Sequence, residues 1–424
     1  MAEAEGTPEV DSLPIFAQVL SHFLGNIIMR ITPLSELTAR HKKLQQYLLD
    51  NNLDAAMLVQ NSDLFYFTGS IQRGVFFLPA EGEPLYLVVK DHSRARMESG
   101  LRHVLKINGL SDLPGILGEY GLNDFVTLGM ELDVLPVQLF QRYQKLFPTT
   151  DISNISPLVR QVRAIKSPYE IEIMKDCALL AEKTFEYAKT VIKEGKTDLE
   201  IAAELECFAR KEGHQGIIRF RGFNAEIYFG HVFSGSDSAV PAYLDAPLGG
   251  LGVNPAVGQG ASYKKIVAGE PIILDYIIAY DGYLVDQTRT LSIGPLPDQL
   301  QQAYRDMLSI QEKLYSIARP GIAWSDLYHQ CLQLADDLGY RDHFMGSKGA
   351  QVAFLGHGIG IEVDEYPFIA AGFDKAVLEE GMTFAFEPKA VFAGLGAVGV
   401  ENTWRVGATG LKRLTYAAED LWQL

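Results

Sequence analysis

The chain has 424 residues, room for two or three domains at roughly 150 residues each, and a single small module is excluded. With 47% apolar and 21% charged residues, 39 Gly and 19 Pro, it is a folding chain rather than a disordered or fibrous one. Its 37 Lys and Arg against 53 Asp and Glu, a net charge of -16, argue against nucleic acid or an anionic membrane surface as a partner.

Three distant cysteines, Cys177, Cys207 and Cys331, form no Cys-x-x-Cys pair, which suits a reducing compartment and makes the cytoplasm the expectation. The apolar stretch Ile15 to Met29 is interrupted by polar residues and preceded by acids. It is too short to span a bilayer and lacks the basic start of a secretory signal. Residues 1–29 are expected to be an extension outside the fold, ahead of a start at Met29, with a docked amphipathic helix as the alternative.

From Thr32 the chain turns periodic. Thr32 is expected to cap and Pro33 to open a helix whose stripe, Leu34, Leu37, Leu44, Leu48 and Leu49, runs to about Asn51. Ala55 to Val59 reads as a strand, Val75 to Leu78 and Leu85 to Val89 as a hairpin, and Phe125 to Leu128 as another strand. Helical patterns near 91–98, 112–119 and 136–147 alternate with them. The result is an N-terminal α/β domain over 30–160, followed by a larger α+β domain over 161–424.

The second domain opens with helices over about 168–191 and 199–211, and an internal repeat follows. The glycine pairs Gly195/Gly213 and Gly321/Gly339 have equal eighteen-residue spacing, and each bounds a helix that follows a longer one. Each half then reaches a strand with an acid six residues after a glycine: Gly269 to Asp275, and Gly381 to Glu387. Each continues through a glycine-bearing turn to a second acid, Asp286 or Glu401. Two halves of helix, helix and hairpin thus offer two carboxylates each.

A carboxylate in an apolar strand needs a compensating partner, since burying it alone costs several kcal/mol. One answer is that the four acids are solvated strand ends or pair with Arg289 and Arg405. The other is a metal centre completed by His357, whose setting Gly356-His357-Gly358-Ile359-Gly360 lets the backbone approach closely. Four carboxylates and one imidazole suit two divalent ions, Mn, Co, Zn or Fe, which would activate a water and polarise a carbonyl.

Val285-Asp286-Gln287-Thr288-Arg289-Thr290, Gly356-His357-Gly358-Ile359-Gly360, Phe386-Glu387-Pro388 and Val400-Glu401-Asn402 resemble the signatures of the pita-bread metallopeptidases, the family of methionine aminopeptidase, aminopeptidase P and prolidase, with creatinase as a metal-free relative. The resemblance implies a pita-bread C-terminal domain behind a smaller creatinase-type domain that helps build a homodimer. It implies that Asp275, Asp286, His357, Glu387 and Glu401 are the metal ligands, with Asp286 and Glu401 bridging and Glu387 also the general base. The implied activity is hydrolysis of a peptide or peptide-like C–N bond, in the manner of an Xaa-Pro aminopeptidase or dipeptidase. Hydrolysis or lysis of a small non-peptide amide or amidine and a catalytically inactive binding homologue are the alternatives.

Two family histidines are absent: Ala242 stands seven residues after the glycine of Ser234-Gly235, and Asp364 seven after His357. Asp364 is the candidate replacement proton donor, or an anion for a cationic substrate group. His231 is a second catalytic candidate, its alternative being a satisfied core histidine. Arg221 and Tyr366 are assigned to substrate binding, with pairing to surface acids as the alternative for Arg221.

Overall fold

The computed structural model describes residues 29–424 except Ala225, so nearly all of the expected extension, residues 1–28, lies outside the described residues. Helix α1 (Leu34–Asp50) begins one residue later than anticipated: Pro33, in extended backbone, is the N-cap, and no side chain caps the helix. Thr32 therefore does not cap it. Proline lacks the N–H that a cap would need to satisfy, and its fixed φ suits the entry.

The strands β1 (Ala55–Leu58), β2 (Gly74–Pro79), β3 (Leu85–Val88), β4 (Val104–Lys106), β5 (Thr127–Met130) and β6 (Asp151–Asn154) form one sheet in the order β4-β3-β2-β1-β5-β6. Helices α2 (Asn61–Thr68), α3 (His92–Glu98), α4 (Leu113–Glu119), α5 (Val137–Leu146) and α6 (Ser156–Ala164) intervene. Alternation along β1 sends Ala56 and Leu58 toward Leu44 and Leu48 of α1, and Ala55 and Met57 toward Leu113, Leu117 and Tyr143. Both faces are covered, which is why these strands read as continuous apolar runs. The division expected at 160/161 falls inside α6.

Helix α7 (Pro168–Val191) starts with a full capping box, in which Ser167 and Glu170 satisfy each other's backbone N–H groups. Helix α8 (Asp198–Lys211) repeats the device with Thr197 and Glu200. They pack on β7 (Gly230–Ser234), β8 (Pro271–Tyr280) and β9 (Tyr283–Ser292). Helices α9 (Asp298–Ile317) and α10 (Trp324–Asp337) pack in the same way on the second half. That half holds β10 (Phe354–Ile359), β11 (Val363–Ala370), β12 (Thr383–Phe386), the hairpin β13 (Lys389–Phe392) with β14 (Gly396–Gly399), β15 (Asn402–Val406) and β16 (Leu411–Arg413). The closing strand β17 (Trp422–Gln423) returns to pair with β9. Gly195, Gly213, Gly321 and Gly339 all have positive φ between 87° and 110°. The repeated glycines thus mark the same left-handed turns in each half.

The helices take one face of each sheet. Leu274 and Tyr276 join the core under α7 and α8, and Phe384 and Phe386 join the core under α9 and α10. Period 2 then sends Asp275, Ile277, Ala385 and Glu387 to the opposite face.

The two parts of the chain share more than a linker. Arg163 lies 2.8 Å from Asp63, 2.7 Å from Glu362 and 2.5 Å from Glu365, while Lys166 Nζ is 2.8 Å from Glu365. Gln60 and Ser62, at the start of α2, donate to Glu362 at 2.5 and 2.8 Å. Helices α2 and α6 of the N-terminal part thereby anchor the turn between β10 and β11.

Candidate metal centre

The site begins with one hairpin. In the β8–β9 ladder Asp275 faces Thr288 and Ile277 faces Asp286, and Tyr280 and Tyr283 close it over Asp281 and Gly282. Both turn residues have positive φ, as a two-residue turn between twisted strands requires. Paired residues and residues two apart share a face, so Asp275, Asp286 and Thr288 project together. His231 of β7, paired with Asp275, joins them.

The second half meets this face through a small bridge. Glu401 and Thr288 exchange backbone hydrogen bonds of 3.2 and 3.4 Å, joining the two sheets at their acidic edges. His357 pairs with Ala385 across β10 and β12, and Glu387, two residues on, shares that face. All five expected ligands line one cavity of about 310 Å³, together with His231 and Asp364.

Ligand atoms of Asp286, His357 and Glu401 lie within 4.8 Å of one another, all buried. His357 Nε2 is 3.9 Å from both Asp286 Oδ2 and Glu387 Oε1. That is too long for a hydrogen bond and of the size spanned by two ligands whose bonds to one ion are about 2.1 Å each. Asp286 Oδ1 is buried without a hydrogen-bond partner among the described residues, leaving a carboxylate oxygen open to a cation. This side of the cluster fits a divalent ion.

The other side is different. Lys389, 1% exposed, puts Nζ 2.6 Å from Glu387 Oε2, 3.1 Å from Glu401 Oε2 and 3.3 Å from Asp275 Oδ2. Its three N–H bonds thus serve three of the five expected ligands. Thr288 Oγ1 lies 2.7 Å from Glu401 and 2.9 Å from Asp275, donating its single proton to one at a time. Arg289, by contrast, gives its guanidinium to the carbonyls of Thr288, Glu401, Ala417 and Ala418 and to Asn402 Oδ1. Arg405 Nε has no partner among the described residues. The compensating cation is a lysine, not the arginines that flank the acids in sequence.

Burial raises the Asp286 carboxyl well above its ordinary range, reinforced by Glu401 and Asp275 and opposed by Lys389. Burial pushes Glu387 up to about 7 against the pull of Lys389. Burial also works against the charge of Lys389, yet Asp275, Glu387 and Glu401 hold its ammonium well above the usual value. Burial likewise opposes a charged His357, but Asp364 and Glu387 leave it raised.

Asp364 adopts φ of +63° and sets Oδ1 3.7 Å from His357 Nδ1. Burial raises its carboxyl while His357 draws it down. His231 lines the cavity with its Nε2 3.3 Å from Gln259 Nε2. Its Nδ1 has no partner among the described residues, and burial pushes the imidazole down to about 4.

Two assigned residues are not brought into the cavity. Arg221 is held by Asp133 at 2.6 Å and Asp63 at 2.7 Å, because the fully buried Asp63 carboxylate needs its guanidinium. Tyr366 packs against Trp324 with tilted rings, 5.5 Å between centroids, under Arg160. The register shift between the pairs Gly358–Glu365 and His357–Phe368 carries it off the cavity face. Neither lines the wall.

Sequence reasoning missed Lys389 and Thr288. A signal for the first was present: Glu387 and Lys389 are the charged residues of the run Thr383 to Phe392, and residues two apart share a strand face.

Residues 172–408 match the model of metallopeptidase family M24, and residues 40–165 match the creatinase/prolidase N-terminal domain. The chain is 27% identical over 384 residues to an Xaa-Pro dipeptidase of Pyrococcus furiosus, covering 90% of this chain and 99% of that protein. It is similar to the structure of an Xaa-Pro dipeptidase from Bacillus anthracis, with a TM-score of 0.78 and 25% identity over 92% of this chain and 100% of that one. A prolidase from Pyrococcus horikoshii gives 0.75 and 26% over 90% and 99%. With its two acidic half-repeats folded into one site behind a creatinase-type domain, the chain belongs to the metallopeptidase family M24 and is a metal-dependent hydrolase of pita-bread fold.

Proposed function

We propose that this protein hydrolyses a peptide or peptide-like C–N bond, as the Xaa-Pro dipeptidases it resembles are named for doing. The observation that carries the reading is the convergence of Asp286, His357 and Glu401 within 4.8 Å in a chain of metallopeptidase family. Asp275, Asp286, His357, Glu387 and Glu401 are the residues to hold divalent metal, with Mn, Co, Zn and Fe as candidates. Bound there, such an ion supplies Lewis acidity and makes water a nucleophile near neutral pH.

The protein's own groups do the rest. Glu387, buried in the cavity beside His357, is placed to take a proton and return it to the leaving nitrogen. The Gly358 carbonyl, 3.3 Å from Nδ1, orients His357, and Asp364, 3.7 Å from the same nitrogen, presents a carboxyl to the cavity. His231 stays uncharged at neutral pH and offers a hydrogen-bonding imidazole at the rim. Arg221 and Tyr366 act on the frame: the first ties Asp63 and Asp133, the second packs under Arg160.

A specific observation favours a second reading, turnover of a cationic or non-peptide amide. The positions of both absent imidazoles carry Ala242 and Asp364, and an anion beside the site attracts ammonium and repels carboxylate. A panel of Xaa-Pro dipeptides, longer peptides and cationic amides separates the two. In either case Asp286→Ala is expected to lower metal content and kcat/KM together, the latter by roughly 100-fold or more. Unchanged metal content by elemental analysis rejects the site.

We also propose a homodimer, supported by the resemblance of the N-terminal domain, and a cytoplasmic setting, supported by three unpaired cysteines. No helix among the described residues is long and apolar enough to cross a membrane. The junction between the two domains is best drawn at 165–167, between α6 and α7.

A further inference from the structure

We propose that Lys389 is a built-in cation of this centre, its ammonium standing in for one of two divalent ions, so that the protein binds a single ion through Asp286, His357, Glu387 and Glu401. The inference rests on the metallopeptidase reading and refines it.

The carboxylates are divided between two cation positions. Lys389 Nζ takes Asp275 Oδ2, Glu401 Oε2 and Glu387 Oε2 at 3.3, 3.1 and 2.6 Å. The other Glu387 oxygen, Oε1, turns to His357 Nε2 at 3.9 Å, and Asp286 Oδ2 lies at the same distance from that nitrogen. Asp286 Oδ1 has no hydrogen-bond partner among the described residues, so an unsatisfied carboxylate oxygen of the cluster lies on the side that Lys389 does not serve. Asp275 becomes the counterion of an ammonium rather than a ligand of an ion.

The lysine is also provided for structurally. It pairs with Gly399 across the β13–β14 hairpin, and a Cβ on Gly399 would lie 2.6 Å from Lys389 Cγ. The same Cβ would lie 2.7 Å from the Pro388 carbonyl oxygen and 2.9 Å from Lys389 Cα, so glycine lets the two strands of the hairpin close tightly around the lysine. At 1% exposure the side chain has no open path to swing into solvent. Charge is compatible with this: the four carboxylates of the cluster facing an ammonium and one divalent ion keep one net negative charge.

The test is ion stoichiometry on the full chain, stripped by chelation and titrated with Co²⁺ followed by its visible absorption, with elemental analysis after dialysis against Mn²⁺. Wild type is expected to saturate at about one ion per chain, and Lys389→Ala, which opens the second position, at about two. Asp275→Asn is expected to keep one ion, whereas His357→Ala loses it. Wild type taking up two ions, Lys389→Ala remaining at one, or Asp275→Asn losing its ion overturns the proposal. The first of these with Xaa-Pro or amide hydrolysis intact leaves the peptidase reading standing. Wild type binding no ion and hydrolysing nothing in the panel overturns both. Should Lys389→Ala fail to fold, the wild-type and Asp275→Asn titrations still decide.

Discussion

His41 shows how a single buried side chain sets a pH limit on this fold. Its Nε2 lies 2.7 Å from the Phe67 carbonyl oxygen and its ring sits 5.2 Å from that of Phe76, at 5% exposure. Burial pushes its pKa down to about 4, against about 6.5 in the unfolded chain. The unfolded state therefore binds the proton first. Stability from this site is complete above about 6.5 and is lost as pH falls toward 4, to the extent of about 3 kcal/mol. In urea titrations at several pH values, His41→Gln is expected to flatten that segment of the stability curve relative to wild type. Parallel curves would show that His41 does not titrate on unfolding. At this scale the five candidate ligands were legible, because an acid in an apolar strand is chemically conspicuous. Lys389 was legible only toward Glu387, two residues away: no spacing along the chain says that Asp275 and Glu401 lie within reach of the same amine. Arg221 and Tyr366 failed for the same reason, their neighbours Asp63 and Trp324 being remote in sequence.

Among the elements, α7 carries the site on its back. It packs against both β8 and β9, the strands that present Asp275 and Asp286, so the hairpin's position depends on where this helix starts. Ser167 and Glu170 fix that start by accepting each other's backbone N–H bonds, at 3.2 Å to Ser167 Oγ and 2.8 Å to Glu170 Oε2. Ser167→Ala is expected to cost about 1 kcal/mol, read as a lower urea midpoint with unchanged slope. An unchanged midpoint would mean that Pro168 and packing alone define the helix start. The long helices were readable from periodicity and caps, and α7 spans 168–191 as anticipated. The short strands β4 and β6 and helix α2 were not. Strands of three or four residues and a helix of eight carry too little periodicity, and their conformation is imposed by the neighbours they pack on. Thr32 misled because a capping residue followed by proline looks like a helix entry whether the helix starts one residue sooner or later.

For the molecule as a whole, the proposed homodimer is checked by light scattering at micromolar concentration: the mass of two chains is expected, and the mass of one overturns it. Within one chain, a single apolar core takes Leu44, Phe76 and Tyr86 from the N-terminal domain together with Ile171, Met174, Ile278 and Val285 from the catalytic half. The two family domains seen in sequence are thus not two independent bodies of packing. The practical reading is one of interchangeability. A chimera that grafts this N-terminal domain onto the catalytic domain of a relative 27% identical would bring together two halves of a jigsaw cut from different boards. Such a swap needs the seam residues on both sides to travel with it, and Arg163 with its acids as well.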